Sequence, residues 1–180
     1  GVENPSTQIE NIFSVDIYVG DGSATQTVTT GIDTLNEGGL IWIKDRGNSI
    51  SHGLFDTVRG TNQQLLSDTT GASEDGSSSN NRMKGFLNNG FQVGDGDFGG
   101  SNRNYVAWTF RKAPKFFDVV QYSGTGSEQS IAHNLGVTPG MIIHKRTDTN
   151  EDWRVYHRSA NNGSSPENYI IQLNGDDDYN

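Results

Sequence analysis

The chain has no cysteine, only four prolines among 180 residues, and no apolar run long enough to cross a membrane as a helix. The missing cysteines exclude disulfides, thiol catalysis and thiolate metal centres together. Basic residues are scarce, 13 Lys and Arg against 22 Asp and Glu, for a net charge of −9. No polybasic surface can form, so duplex nucleic acid and anionic membranes are not expected partners. The first residues carry no signal-peptide pattern. A helical period sustained over three turns is also lacking, and apolar residues make up only 31% of the chain. Such low hydrophobicity is common in disordered chains. Eight Phe, six Tyr and three Trp argue against disorder here, and 23 glycines point to a folded, turn-rich protein.

What is present is a duplication. VDIYVGDGSATQTV over residues 15–28 is echoed by VVQYSGTGSEQSI over 119–131. Tyr18 matches Tyr122, Gly20 matches Gly124, Gly22 matches Gly126 and Ser23 matches Ser127, all 104 positions apart. LIWIK over 40–44 then corresponds to MIIHK over 141–145, with the offset reduced to 101 by a shorter connector. HGLFD over 52–56 falls on WRVYH over 153–157, and residues 65–67 lie roughly over 172–174. A period near 100 exceeds a solenoid repeat and suits an array of small domains.

Each copy reads as β structure. SVDIYVG and DVVQYSG are short β-branched and aromatic runs ending in glycine-rich turns. GDGS and GTGS are hairpin material, with Gly20, Gly22, Gly124 and Gly126 as turn residues. GLIWIK and GMIIHK suit strands buried on both faces. In YVAWTF, Val106, Trp108 and Phe110 share one face of a strand. NRMKGFLNNG reads as strand and turn. The expected fold is all-β, two tandem related units of β-sandwich or jelly-roll type.

The expected organisation is residues 1–12 as a linker or the end of an upstream module, 13–112 as a first unit, 113–116 as a junction, and 117–180 as a second unit. SDTTGASEDGSSSNN over 67–81 is polar and expected to form a mobile loop. The second copy lacks counterparts of GFLNNGFQVG and NYVAWTFRK, so it is truncated relative to the first. With Gly1 standing where Met would open a complete chain, the sequence is expected to be a segment of a longer protein. A second domain that has lost those strands is the alternative.

Candidate chemistry is thin. Asp95 and Asp97 in VGDGDFGG could offer oxygens to Ca²⁺, but EF-hand spacing is missing and turn chemistry explains the Asp and Gly without an ion. The acidic run 176–178 reads as solvated, and no cofactor is expected. His52, His133, His144 and His157 lack metal-ligand spacing, and one of His133 and His144 is expected to donate to a backbone carbonyl. No nucleophile elbow and no recognisable acid/base carboxylate pair is present, so no enzyme activity is expected. Trp42, Trp108 and Phe110, within apolar or alternating strands, are expected to fill the core. Trp153, Tyr156 and Tyr122 are the candidates for stacking on sugar rings.

YVAWTFRKAPKFFDVVQYSGTGS, HNLGVTPGMIIHKR and DWRVYHRS together resemble a tandem β domain of virion proteins from marine tailed phages, cyanophages included. The motif order of that family is met by YVGDG, IWIKDR, GLFDTVRG, NNGFQVG and YVAWTF, over roughly residues 13 to 174. The resemblance implies a tail fibre or similar appendage on the particle surface, with copies of itself and other virion proteins as partners and host-surface glycan as a further one. The alternatives are a carbohydrate-binding or depolymerising module, and a capsid decoration or filament subunit. The family implies no catalytic residues.

Overall fold

A computed structural model describes residues 8–76 and 82–175. Of these, 35% are strand and 7% helix, in several antiparallel sheets, so the chain is mostly β. The strands are β1 (Phe13–Val19), β2 (Gln26–Thr29), β3 (Gly39–Asp45), β4 (Gly53–Asp56), β5 (Gln63–Leu66), β6 (Glu74–Asp75), β7 (Met83–Leu87), β8 (Gly90–Val93), β9 (Asn104–Arg111), β10 (Met141–His144), β11 (Arg154–His157) and β12 (Ile171–Gln172). They form a six-stranded sheet in the order β1-β9-β3-β4-β5-β6 and two three-stranded sheets, β2-β8-β7 and β10-β11-β12.

β9 lies between β1 and β3, paired to both along its length, with Tyr18 opposite Tyr105 and Ile43 opposite Ala107. Alternate side chains point to opposite faces of a strand. One face of this sheet presents Ile41, Ile43, Phe55, Tyr105 and Ala107 to the first core, where Val28, Phe91 and Val93 of the β2-β8-β7 sheet meet them. Phe98, from the loop before β9, stands edge-on to Phe55 at 5.7 Å. Each of the buried Ile, Val and Phe side chains contributes on the order of 1.5–3 kcal/mol by leaving water.

The other face explains a departure from expectation. Trp42, Trp108 and Phe110 are half-buried instead of filling this core. Val106, Trp108 and Phe110 do share a face, but the fully covered face of β9 is the alternate one, Tyr105, Ala107 and Thr109. β9 and β3 are central strands with apolar residues on both sides, and alternation in the sequence marks two faces without saying which is covered. Trp42 and Trp108 oppose each other across the outer face with ring centroids 6.1 Å apart. Phe110 is partly covered by Phe116 and Phe117, folded back from the turn at 113–117. Residues 113–116 are thus a turn with Ala113 buried and Pro114, Lys115 and Phe116 exposed. Ile9–Ile12 form one helical turn with Ile12 buried, so this part of the expected linker docks on the sheet; residues 1–7 lie outside the described residues.

Several turns also differ from expectation. GDGS does not close a hairpin; it carries the chain from β1 in one sheet to β2 in another. Gly22 and Gly126 both take the left-handed φ, +71° and +78°, that favours glycine. Gly20 keeps an ordinary φ but lies against the backbone of Gly99 and Gly100, where a side chain has no room, while Gly124 has open space around it. The polar segment from Ser67 to Gly76 is held in place: β6 joins the large sheet, and Ser73 N–H donates to Thr147 O at 2.8 Å. Its continuation over 77–81 lies outside the described residues.

Beyond residue 117 the packing changes. Residues 118–135, which include the DVVQYSG run expected as a strand, belong to no sheet. β10 was expected to be covered on both faces, yet all four of its residues are exposed. In β3-β4 the opposed pairs are Leu40–Asp56, Ile41–Phe55, Trp42–Leu54 and Ile43–Gly53. In β10-β11 they are Met141–His157, Ile142–Tyr156, Ile143–Val155 and His144–Arg154. Adding 101 to every residue of the first set gives the second. Likewise Gly53–Leu66 and Leu54–Leu65 in β4-β5 recur as Arg154–Gln172 and Val155–Ile171 in β11-β12. This sets Leu66 over Gln172, one residue away from the alignment expected from sequence.

Candidate functional site

Directly opposed residues of an antiparallel pair share a face. Ile142, His144, Arg154 and Tyr156 therefore lie on one face of the β10-β11-β12 sheet, and Gln172 joins them through its pairing with Arg154. Tyr122, from the irregular segment before β10, reaches the same face: its hydroxyl and His144 Nε2 share a hydrogen bond of 2.7 Å, with ring centroids 5.9 Å apart. Two of the three expected sugar-stacking residues, Tyr122 and Tyr156, thus come together on one exposed surface.

Trp153 does not join them. It is only 4% exposed and packs with Leu54 and Leu65 under the outer face of the large sheet, with Leu40 and Trp42 alongside. Its indole N–H donates to Leu66 O at 2.8 Å. The polar run before it, which suggested exposure, is a loop docked on the first half of the chain: Glu151 N–H donates to Thr70 O and Ala72 N–H to Asn150 Oδ1. Trp153 is a clamp between the two halves and offers no face to a sugar.

His144 sits among positive charges on the exposed face. Partial burial of the imidazole, followed by the Arg154 and Lys145 charges, holds its pKa below the ordinary histidine value. The residue is exposed as a whole, but the Tyr122 phenol covers its Nε2. Below its ordinary pKa of about 6.5 it stays neutral longer than a free histidine. Tyr156 and Arg158 line an open depression of about 520 Å³ together with Val137, Thr138 and Pro139, and Arg158 Nη2 donates to Thr138 O at 3.1 Å. The arrangement offers ring faces, a neutral imidazole and guanidinium donors, a set suited to polyhydroxylated or acidic ligands.

The other candidate residues are occupied locally. Asp97 pairs with Arg82 at 3.3 Å, and among the described residues no three His, Cys, Asp or Glu side chains converge as a metal site would require. The acidic run 176–178 lies outside the described residues. Leu135 N–H donates to His133 Nδ1, the reverse of the carbonyl contact expected at one of these histidines. Trp42 donates its indole N–H to His52 Nδ1 at 3.0 Å.

The motif residues likewise hold the fold together. Asp56 forms a buried ion pair with Arg59 and accepts the N–H groups of Val58 and Arg59, closing the turn after β4. Asp45, whose carboxylate has no exposed surface, accepts from Gly47, Asn48 and Arg103. Tyr18 stacks on Tyr105 and donates to Phe98 O at 2.6 Å. A family match covers residues 9–179 of the chain. The chain belongs to the DUF7483 family. That family is described as a domain of unknown function. No curated protein and no solved structure matches the chain.

Sequence reasoning missed His144, Arg154 and Arg158 as members of the face. The signal was present in the duplication. At the position of Ile43 the second copy has His144, at Gly53 it has Arg154, and at Phe55 it has Tyr156.

Proposed function

We propose that this DUF7483 chain is a non-enzymatic structural module of a phage virion appendage, of the tail-fibre kind, built from two tandem copies of one β-sandwich unit and contributing to host-surface attachment. The observation that carries the reading is the recurrence of four cross-strand pairs at a constant offset of 101. A shared register in two places is costly to reach by chance, because a one-residue slip reverses every side chain. Arrays of small β units make extended, rigid stalks, and the motifs behind the phage resemblance are used for turns, ion pairs and packing. Copies of the same chain and other virion proteins are the partners this role requires. Gold-labelled antibody against this chain, applied to intact particles of the phage that encodes it, is expected to mark the tail appendages. Label confined to the capsid would favour a decoration role, and particles without label would refute the virion assignment.

A second reading, carbohydrate binding, is favoured by one observation. Ile43, Gly53 and Phe55 face a covered core in the first copy, whereas their counterparts His144, Arg154 and Tyr156 form a polar, aromatic surface open to solvent. Those replacements suit contact with a hydrated ligand better than contact with a second sheet. Host polysaccharide binding without shortening of its chains is the expected outcome for the appendage; chain shortening would make the module a depolymerase.

A further inference from the structure

Arg154, Tyr156 and Arg158 take every second position of β11 and the residue after it, so they stand on the face that His144 and Tyr122 share. Arg154 and Arg158 are exposed. Among the described residues neither pairs with a carboxylate, although the chain has a net charge of −9. Arg59, Arg82, Arg103 and Arg146 each hold one. Asp152, two residues before Arg154, is taken up by the side-chain amides of Gln172 and Asn174. Arg158 is held in position: its guanidinium lies over Gly140, where a Cβ would come within 2.8 Å of Nε, and Nη2 donates to Thr138 O.

The residues themselves keep this face open. Arg154 stands at the place of Gly53, where a Cβ has no room against Phe98, so a sheet packed as in the first copy cannot cover it. Arg158 stands at the place of Thr57, which is only part-buried although the first copy has its second sheet.

We infer that this face binds an acidic polysaccharide: a sugar ring lies on Tyr156, and carboxylate or sulfate groups on either side of it meet Arg154 and Arg158. The inference rests on the carbohydrate-binding reading and names its ligand class. A planar guanidinium takes such a group through two parallel hydrogen bonds, and a tyrosine ring offers an apolar face with a polar tip. By strand rise the two arginine positions lie roughly 13 Å apart, with Tyr156 midway. That spacing suits a sparsely charged chain. Duplex nucleic acid carries a charge every ~1.7 Å of its axis, and a protein of net charge −9 repels so dense a polyanion.

Calorimetry on the intact protein tests this with matched probes: polygalacturonate against its methyl ester, and dextran sulfate against dextran. In at least one pair the charged polymer is expected to bind about tenfold or more tighter. Arg154→Gln and Arg158→Gln are each expected to weaken that binding about tenfold, with melting temperatures close to the parent. Arg46→Gln, which removes an exposed charge from the turn after β3, is expected to leave it unchanged. Equal affinity within both pairs overturns the inference, as does an equal loss in Arg46→Gln or tighter binding of a single-stranded oligonucleotide. Binding of neutral glycans that ignores both arginines leaves the carbohydrate reading standing and overturns only the acidic ligand. Absence of binding to every glycan, neutral or acidic, overturns both.

Discussion

Trp153 donates its indole N–H to the carbonyl oxygen of Leu66, 87 residues earlier in the chain, at 2.8 Å. The ring beside that bond lies against Leu54 and Leu65, so one side chain fastens the second half of the protein to the outer face of the large sheet. Replacing it with alanine empties a buried, hydrogen-bonded site. Trp153→Ala is expected to cost roughly 3–5 kcal/mol, and Trp153→Phe less, mainly the lost hydrogen bond and the carbonyl it leaves unpaired. Urea denaturation measures both; a Trp153→Ala protein with the original midpoint would remove Trp153 from the interior.

Asp45 makes stability depend on acid. Burial of its carboxylate acts to raise the pKa, but the bonds from Gly47 and Asn48 and the Arg103 charge outweigh it, and the net position is below the usual value. A folded-state pKa depressed below the unfolded one stabilises the protein above the unfolded value, about 3.9, and that contribution disappears as pH falls toward the lower folded value. Unfolding free energy is therefore expected to fall steeply below about pH 4. Asp45→Asn is expected to lose about 1–3 kcal/mol at pH 7 and to flatten the acid limb. An unchanged acid limb in the variant would assign the dependence to other carboxylates.

Gly22 and Gly126 align with each other in the sequence duplication and share a left-handed φ, yet their surroundings differ. A Cβ on Gly22 would meet Ser101 Cβ at 2.8 Å, whereas one on Gly126 would meet nothing within 4 Å. Gly126→Ala is expected to cost about 1–2 kcal/mol, the left-handed penalty alone. Gly22→Ala should cost more, since Ser101 must also shift. Thermal melts of the pair measure the difference, and equal losses would contradict the crowding at Ser101.

Under the proposed carbohydrate-binding reading, Tyr122 and Tyr156 are the residues on which binding depends. On an array of host-surface polysaccharides, Tyr122→Ala and Tyr156→Ala are each expected to weaken binding about tenfold, with melting temperatures close to the parent for these exposed or half-buried rings. Binding that survives both changes would move the carbohydrate contact elsewhere.

The β character of the chain was legible because β-branched and aromatic runs punctuated by glycine leave little room for helix. The register of β10 on β11 could be read from the duplication, for LIWIK and HGLFD recur together at one offset. The covered face of each strand was harder to read. Trp108 and Tyr105 alternate along β9 with apolar neighbours on both sides, and only the position of the β2-β8-β7 sheet decides that Tyr105 is the buried one. Trp153 defeated local reasoning for a similar reason. Its polar upstream loop suggested exposure, but the loop's partners, Thr70 to Ser73, are remote in sequence. The exposed face could have been foreseen by asking what the second copy changed, since His144 and Arg154 stand where the first copy needs isoleucine and glycine.

The central claim is that the second half of the chain repeats the strand plan of the first in the same register. Cross-strand nuclear Overhauser contacts in the labelled protein test it most directly. The account predicts contacts joining Ile142 to Tyr156 and His144 to Arg154, as Ile41 is joined to Phe55 and Ile43 to Gly53. Contacts joining Ile142 to Val155 or to His157 instead would show a one-residue slip, turn Tyr156 away from Tyr122, and contradict the repeat and the binding face together.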